Sequence, residues 1–555
     1  MFRFSGTRSL NMPSLWALSI LVGVVAGLGA VGFRALIGFF HNLLFLGRIS
    51  AIYNANAHTP PSPWGPFVIF VPVAGALGVT FLVKNFAPEA KGHGVPEVMD
   101  AVYHRRGVIR PVVSIVKALA SSLSIGSGGS IGREGPIIQI GSSFGSTLGQ
   151  VLRLPAWQCI TLIAAGAGGG IGATFNTPVG GVLFAVEIVL HEVSVRTLVP
   201  VVTATVTATY IGEIFFGPHP AFFIPALETP FFALAKPALL VAYAGLGAIA
   251  GLVSAAFIWS IYGCEEIFEK RIKGGYYVQH MLGMLGVGIL IYSMMHSFGH
   301  YYVEGVGYAT IQDVLSGVGY PFYLLVLLFA AKLLATSLTL GSGASGGVFS
   351  PSLFLGATSG AAWGTALNHL IPGLNVSPVA FAIAGMGAVV GGATGAAMAS
   401  IVMIFEMTLD YTVIIPMTLT VAISYAVRRS LIKDSIYTRK LTLRGASVPD
   451  AMRADIPFSR RSAAIMRPLT PESSGAWRAE HGDGIPQDHV TVSQDASLLE
   501  VIAKMRASNA SVALVMPATF VATEDGPFDS ARIEGVITRR DILDTLADDL
   551  ELFGE

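Results

Sequence analysis

The stretch Gly126–Pro136, GSGGSIGREGP, has a counterpart at Gly341–Pro351, GSGASGGVFSP. When the two are aligned, they share Gly, Ser, Gly, Ser, Gly and Pro at matching places. Further along, Glu187 in LFAVEIV matches Glu406 in MIFEMTL after only a short insertion. One glycine-rich loop alone would be interpreted as a packing kink. Two copies in an apolar chain, one carrying a glutamate, are typical of transporters whose broken helices meet near the membrane midplane.

The composition predicts an all-α polytopic membrane protein. Hydrophobic residues make up 53% of the chain, charged residues only 12%, and the mean hydropathy is +0.65, whereas a soluble domain carries about 25% charged residues. A formal net charge of zero argues against nucleic-acid binding. The two cysteines, Cys159 and Cys264, lie in apolar surroundings and predict neither disulfides nor a metal site. The first apolar run, Leu15–Ala30, continues into apolar sequence without a convincing signal-peptide cleavage site.

Several apolar segments are shorter than the roughly 20 residues of a simple membrane span, or are interrupted by Gly and Pro. Irregular backbone is tolerated at membrane depth only where protein buries it or water reaches it, so the interruptions indicate an internal pathway. The predicted segments are 13–47, 65–85, 111–125, 137–152, 157–190, 197–216, 236–262, 277–297, 320–340, 352–371, 377–405 and 411–427.

The two ends of the chain differ from its apolar body. Residues 1–12 carry Arg3 and Arg8, and basic residues cluster again between 428 and 440, which by the positive-inside rule predicts that both termini are cytoplasmic. From residue 441 to 555 the chain lacks long apolar runs, which predicts a soluble tail. In that tail 460–487 is typical of a flexible linker, 490–514 of strand, helix and strand, and 533–548 of strand and helix.

Three short motifs predict helix N-termini that face one site. Residues 94–97, 132–136 and 347–351 each place Gly before a Pro that suits the first turn of a helix. A helix N-terminus presents free N–H groups and partial positive charge, so it holds an anion without a full cation. An anion bound in this way can still leave, as transport requires.

These motifs resemble signatures of the CLC family of chloride channels and chloride/proton antiporters. The resemblance is carried by GREGP at 132–136, GGVFSP at 346–351 and Tyr437 in DSIYTRKL. FNTPVGGVLFAVE at 175–187 and FAIAGMGA at 381–388 extend it.

The resemblance covers roughly residues 13–440 and implies a CLC-type fold with two inverted repeats, about 13–217 and 236–440. It also implies a homodimer with a separate pore in each subunit. The expected location is a bacterial inner membrane, with chloride or a similar small anion as the transported ligand and no cofactor.

The resemblance also implies roles for individual residues. Glu134 resembles the external gating glutamate, whose carboxylate competes with chloride for a site. The amides of Val348 and Phe349 and the hydroxyl of Tyr437 resemble chloride ligands, and His93, Gly94 and Arg133 complete the predicted anion-binding set. A carboxylate among anion-attracting amides acts as a tethered anion that leaves when protonated, and an ionisable group within a membrane segment is by default functional. The alternative is a structural salt bridge between Glu134 and Arg133.

Two positions depart from the family pattern. His93 stands where chloride-selective relatives usually carry Ser, and its imidazole either donates to the anion or turns aside to solvent or a carbonyl, which leaves anion selectivity open. Ile188 stands where antiporter-type relatives commonly carry an internal acid, and it cannot titrate. Glu187, just before it, is the remaining proton-pathway candidate, although a structural hydrogen-bonding role is favoured. We interpret Lys117, Glu97, Glu406 and Asp410 as paired structural charges.

The tail resembles a CBS domain. One unit fits at about 488–549, and 445–455 is a candidate remnant of a second. Thr538 and Asp541 match the usual ribose-phosphate positions, so an adenine nucleotide is a candidate ligand, against a merely structural or dimer-stabilising tail.

Three functions follow from the sequence. The favoured one is anion permeation gated by Glu134, passive or weakly proton-coupled, with little uphill proton movement because of Ile188. The second is strict chloride/proton antiport. The third, a membrane enzyme using Glu134, His93 and Tyr437 in acid–base chemistry, lacks a metal cluster or an activated nucleophile.

Overall fold

The structure is a computed structural model that describes residues 9–191, 193–224, 237–371, 373–409, 411–446, 448, 462–468, 488–496, 498–517 and 533–545. It divides into two compact units, 1–154 with 158–450, and 155–157 with 451–555. The described part of the first unit is helical, and seven of its helices are long and apolar enough to cross a membrane. The chain is therefore a polytopic helical membrane protein, as its composition predicts.

The described helices of the first unit form two series of similar order and length. Both series open with a helix of 35 residues and include one short helix of eight or nine residues. The first series is α1 (Met12–Leu46), α2 (Val71–Phe86), α3 (Val95–Tyr103), α4 (Val112–Gly126), α5 (Glu134–Val151), α6 (Ala156–Phe175), α7 (Pro178–Phe184, continued as a π-helix over Ala185–Leu190) and α8 (Val195–Phe216). The second is α9 (Pro237–Arg271), α10 (Gly275–Phe298), α11 (Tyr308–Leu315), α12 (Phe322–Gly341), α13 (Phe349–Leu370), α14 (Pro378–Thr394), α15 (Ala397–Thr408) and α16 (Ile414–Leu431), followed by α17 (Thr438–Leu443).

Matched glycines let the same helix pair approach closely in both series. A Cβ atom on Gly141 of α5 would lie 2.2 Å from the carbonyl oxygen of Gly166 in α6. The equivalent Cβ on Gly356 of α13 would lie 2.3 Å from the carbonyl oxygen of Gly385 in α14. Such contacts exclude any side chain, and small residues at helix crossings are how membrane helices pack without a hydrophobic driving force. The two halves therefore share their packing as well as their order.

A reciprocal pair of carboxylates ties the two series together. Glu187, in the π-helical end of α7, accepts from the amides of Met398 and Ala399 at 3.2 and 2.8 Å, at the start of α15. Glu406 in α15 accepts from the corresponding amides at the start of α7, Val179 at 3.0 Å and Gly180 at 2.7 Å. Each carboxylate thus satisfies N–H groups that a helix leaves unpaired at its N-terminus.

Most predicted apolar segments coincide with observed helices, but 157–190 and 377–405 each contain two helices, and α9 runs on from the predicted 262 to Arg271. The short helices α11 and α17 were not predicted. The short helix α3 follows the Gly-Val-Pro motif at 94–96, whereas its counterpart α11 begins after Gly307 without a proline. Eight residues that include Gln312 and Asp313 carry too little apolar signal to mark a membrane helix.

The described part of the tail forms a small α/β unit, consistent with a CBS-like fold. The strands are β1 (Arg467–Pro468), β2 (His489–Ser493), β3 (Val512–Met516) and β4 (Gly535–Thr538). They form a four-stranded sheet in the order β1-β4-β3-β2, with β2 and β3 parallel and the other pairs antiparallel. The predicted strand, helix and strand at 490–514 are present. The linker prediction is wrong for the residues of 460–487 that are described, because Ser462–Ile465 forms a helix and Arg467–Pro468 pairs with the sheet. The rest of 460–487, and almost all of the candidate second unit 445–455, lie outside the described residues. Two helices of this unit are α18 (Ser462–Ile465) and α19 (Leu498–Ala507).

Candidate anion site

The two glycine-rich loops meet and bring helix N-termini together. The amide of Gly132 donates to the carbonyl of Gly347, and the amide of Gly347 donates back to Gly132, both at 2.7 Å. Gly135 packs against the backbone of His93, since a Cβ there would lie 2.0 Å from the His93 carbonyl oxygen. The starts of α3, α5 and α13 therefore converge on one place. This convergence concentrates positive helix-dipole ends inside the protein.

Glu134 is turned into this convergence and is only 1% exposed. Its Oε1 atom accepts from the hydroxyl of Tyr308 at 2.7 Å and from the hydroxyl of Ser350. Its Oε2 atom faces the amide of Ser350 at 3.3 Å, in the first turn of α13. The carboxylate thus lies where a small anion would be held by a helix N-terminus. It forms no ion pair with Arg133 among the described residues, so the alternative of a structural salt bridge is wrong.

The amides predicted to bind the anion remain available beside Glu134. Val348 is the residue before α13 and Phe349 is its first residue, and both are buried. Within the described part of the chain no acceptor takes either amide hydrogen. Gly94 precedes α3 in a positive-φ conformation, at 87°, which favours glycine. The three positions therefore present backbone rather than side chains to the site.

His93 is buried, with 3% of its surface exposed, so the ring does not turn to solvent. Its Nδ1 atom has no hydrogen-bond partner among the described residues. The ring meets the edge of Tyr262 at a centroid distance of 6.1 Å. A buried imidazole nitrogen without a partner is costly, and an anion or water beside it would relieve that cost.

Tyr437 precedes α17 and is 2% exposed. Its ring packs edge-on against Phe184, with centroids 6.4 Å apart. A cavity of about 60 Å³ is lined by Tyr437, Ile188 and Glu187, and also by the cationic Arg428. Ile188 therefore faces the region where an internal acid was expected. Both carboxylate oxygens of Glu187 are taken by the α15 amides, as the structural interpretation of this residue predicts.

Arg133 is not brought to the α13 N-terminus. Its guanidinium donates to the carbonyl of Thr174 at 3.4 Å and lies over the rings of Phe175 and Tyr308 at 5.8 and 5.2 Å. It lines a separate cavity of about 170 Å³ that Arg34 also lines. Of the predicted anion-binding residues, Arg133 therefore lies over two aromatic rings beside a neighbouring cavity.

Two residues whose hydroxyl groups hydrogen-bond to Glu134 were not predicted from the sequence. They are Tyr308 and Ser350. Ser350 lies within the quoted motif GGVFSP, to which only backbone amides were assigned as ligands. Tyr308 follows Gly305 and Gly307, which repeat the Gly-x-Gly spacing of Gly92 and Gly94 in the second half. That repeated Gly-x-Gly before a helix is a signal from which α11 and its first residue were predictable.

Comparison with known proteins agrees with this geometry. The family model described as "Voltage gated chloride channel" matches residues 74–429. A "Putative chloride channel protein ClcB-like" of Ralstonia nicotianae is 32% identical over 429 residues, covering 77% of this chain and 96% of the relative. An "H(+)/Cl(-) exchange transporter ClcA" of Yersinia pseudotuberculosis is 32% identical over 408 residues, 73% of this chain and 82% of the relative.

This chain belongs to the CLC family. A solved structure titled as a slow cyanobacterial Cl-/H+ antiporter is also similar, with a TM-score of 0.67 over 79% of this chain and 99% of that chain. At 24% identity that likeness concerns the fold alone. The predicted CLC resemblance is therefore confirmed in both sequence and fold.

Two buried lysines in this CLC protein play matched structural roles. Lys117 donates to the carbonyls of Ala90 and Gly92 at 3.0 and 2.7 Å, just before α3. Lys332 donates to the carbonyls of Val303 and Gly305 at 3.1 and 2.9 Å, just before α11. Each lysine therefore fixes the loop that leads into a short helix of the site, through carbonyls rather than through a carboxylate.

The other charges interpreted as structural are partly accounted for. Glu97 pairs with Arg444 at 2.6 Å, and Glu406 caps the start of α7. Asp410 lies outside the described residues.

In the tail of this CLC protein, Thr538 and Asp541 bond to each other. Oδ2 of Asp541 accepts from the amide and hydroxyl of Thr538 at 2.8 and 2.7 Å. The other carboxylate oxygen pairs with Arg467 at 2.5 Å. A nucleotide that used these two residues would have to compete with these contacts, so the nucleotide role stays a prediction.

Proposed function

We propose that this protein exchanges chloride for protons across the membrane, with Glu134 alternating between the two ions. The observation that carries the proposal is the position of the Glu134 carboxylate, buried against the amide of Ser350 at the N-terminus of α13. A carboxylate there excludes an anion while it is ionised. Protonation removes its charge, weakens its hold on the amide and frees the position for chloride. One side chain thus couples proton binding to anion entry.

The names of the relatives support coupling better than the passive permeation expected from Ile188. The Yersinia relative is called an H(+)/Cl(-) exchange transporter, and the similar solved structure is titled an antiporter, while the Ralstonia relative is called a putative channel. None of the three is named as an enzyme, which weighs against the acid–base enzyme interpretation.

Passive permeation is the second candidate, and Ile188 is the observation that favours it.

Antiport, in contrast, needs a proton route on the Tyr437 side. Because Ile188 cannot relay protons, they must reach Glu134 from that side by another route. The cavity of about 60 Å³ beside Ile188 has room for water, which needs about 10–15 Å³ per molecule. We therefore propose hydrated passage on that side, because the carboxylate of Glu187 is already engaged.

The test is simultaneous measurement of chloride and proton movement in liposomes that contain the purified protein. Antiport predicts that an imposed chloride gradient drives protons uphill in the opposite sense. Chloride movement with no proton movement would establish the passive alternative. Absence of anion movement would overturn both.

We further propose a homodimer in a bacterial inner membrane with both termini in the cytoplasm. The bacterial relatives and the basic cluster that includes Arg428 and Arg429 after the last long helix support this arrangement.

A further inference from the structure

A second buried carboxyl group lies near Glu134 and has no part in the function proposed above. Glu304 is 9% exposed and stands just before the turn into α11. Its Oε1 atom lies 2.8 Å from Nε2 of His41 and accepts from the hydroxyl of Thr59 at 3.0 Å. Oε2 of Glu304 and Nδ1 of His41 are buried and have no partner among the described residues. Such unsatisfied atoms in a buried acid–imidazole pair call for an explanation beyond packing.

Glu304 of this pair and Tyr308, which holds Glu134, line the same small cavity. The cavity has a volume of about 20 Å³, and Thr59, Glu304 and Tyr308 are among the residues that line it. That volume accommodates about one water molecule. Tyr308 also donates its hydroxyl hydrogen to Oε1 of Glu134 at 2.7 Å. Tyr308 is thus shared between the cavity and the anion site.

We propose that the Glu304–His41 pair exchanges protons with Glu134 through the hydroxyl of Tyr308. This inference rests on the proposed antiport and adds to it the residues that load and unload the gate. In the loading step Tyr308 passes its hydroxyl proton to Glu134 and accepts one proton from the cavity, so the tyrosine ends neutral. The pair releases that proton and its charge changes from zero to −1. Neutral Glu134 then no longer competes with an anion for the amide of Ser350.

The groups around the pair suit it to hold one exchangeable proton. Lys332 donates to the two backbone carbonyls that flank Glu304, so its ammonium stabilises the pair after a proton has left. Tyr53 packs against His41 with ring centroids 4.5 Å apart, and Tyr301 lines the same cavity. His41 and Glu304 are joined by a hydrogen bond of 2.8 Å, so a proton can pass directly between the two residues.

The pair also has a route to the protein surface. His58 lines the same cavity, and 18% of its side chain is exposed. It bonds to Asp313 at 2.7 Å and stacks on His300 at a centroid distance of 4.1 Å. A partly exposed imidazole that lines the cavity and bonds to a carboxylate is placed to pass protons between solvent and the pair.

The test replaces Glu304 and follows proton uptake driven by a chloride gradient in liposomes. Glu304→Gln keeps the size of the side chain but cannot release a proton. Proton uptake is expected to fall about tenfold, less than complete removal of a general acid because water substitutes in part. Tyr308→Phe removes only the hydroxyl and is expected to give a similar fall. Glu213→Gln removes a carboxylate from the separate cavity of about 170 Å³ and serves as the matched control, with proton uptake unchanged.

A double variant separates proton exchange from a structural role. In Glu134→Gln the gate no longer takes protons, so adding Glu304→Gln should leave chloride efflux at the rate of the single variant. If the double variant instead loses chloride efflux, Glu304 supports the fold and the inference is overturned.

The proposed function and this inference fail in distinguishable ways. If the unaltered protein moves no protons, antiport fails and the relay falls with it. If the unaltered protein moves protons, and Glu304→Gln and Tyr308→Phe move them equally fast, antiport stands and the relay is wrong. Should Glu304→Gln not fold, an unchanged proton rate in Tyr308→Phe alone is enough to overturn the inference.

Discussion

The two halves of the membrane unit place some charges at matched positions and others at positions with no counterpart. Lys117 and Lys332 each fix the loop before a short helix, and Glu187 and Glu406 each cap the start of a helix in the other half. Because these charges recur at matched positions, we infer that they stabilise the fold that the two halves share. Burying an ion costs several kcal/mol of desolvation free energy unless the ion is well hydrogen-bonded. Each of these four groups is hydrogen-bonded to the backbone.

Two carboxyl groups of the proposed pathway, Glu134 and Glu304, occur in one half only. Glu134 stands opposite Phe349 when the two glycine-rich loops are aligned. Glu304 stands opposite Lys91 when the two Gly-x-Gly turns are aligned. No symmetric structural need explains a carboxyl group in one half where the other carries phenylalanine or lysine. In a repeated fold, a charge without a counterpart in the other half therefore indicates function better than burial of the charge does.

The largest effect is expected where the symmetry is broken most sharply, at Glu134. Glu134→Gln should reduce proton movement to that of protein-free liposomes while chloride efflux continues without its pH dependence, because the neutral amide mimics the protonated gate. Parallel recordings with a pH electrode and a chloride electrode check both parts. Loss of chloride efflux with pH dependence retained would show that Glu134 is not the gate.

The symmetric pair should respond symmetrically. Glu187→Ala and Glu406→Ala each leave two helix N-terminal amides without their acceptor, at a cost of about 1–3 kcal/mol in stability. The expected result is a similar fall in the melting temperature of the detergent-solubilised protein for both variants. A fall for one variant only would mean that the two caps, despite their matched geometry, do not carry equal weight.

Features set by local sequence were predictable, whereas contacts between distant residues were not. The repeated loops, most of the long helices and Glu134 were predictable because glycine, proline and apolar runs act locally. The amides that Glu187 and Glu406 cap lie in the opposite half of the chain, so no local pattern indicates them. Glu304 and His41 are also far apart in sequence, and only the folded chain brings this pair beside Tyr308. The departure of His93 from the family pattern is visible in the sequence, but its burial required the structure.

His93 offers a smaller and more specific test of asymmetry, since its counterpart in the second Gly-x-Gly turn is Val306. His93→Ser replaces a bulky ring that has an unpaired Nδ1 atom with a small hydroxyl donor. A gain or loss of one hydrogen bond is worth about 1 kcal/mol, so relative anion preference should change about fivefold. Competition between chloride and nitrate in liposome efflux measures it, with protein yield as the folding control. Unchanged anion preference and affinity in His93→Ser would show that the imidazole points away from the ion.

The smallest expected effect concerns Glu187 as a proton carrier. Glu187→Gln retains one oxygen to accept an α15 amide, and both oxygens of the native carboxylate are already occupied, so proton movement should stay within about twofold of the original. Glu406→Gln is the matched control, because it makes the same change at the symmetric cap on α7, where no proton role is proposed. If Glu187→Gln stops proton movement and Glu406→Gln does not, the matched geometry conceals different functions. Glu187 would then be the acid that compensates for Ile188, and the rule that symmetric charges are structural would fail at this position. Equal, small effects would leave water beside Ile188 as the proton route on the Tyr437 side.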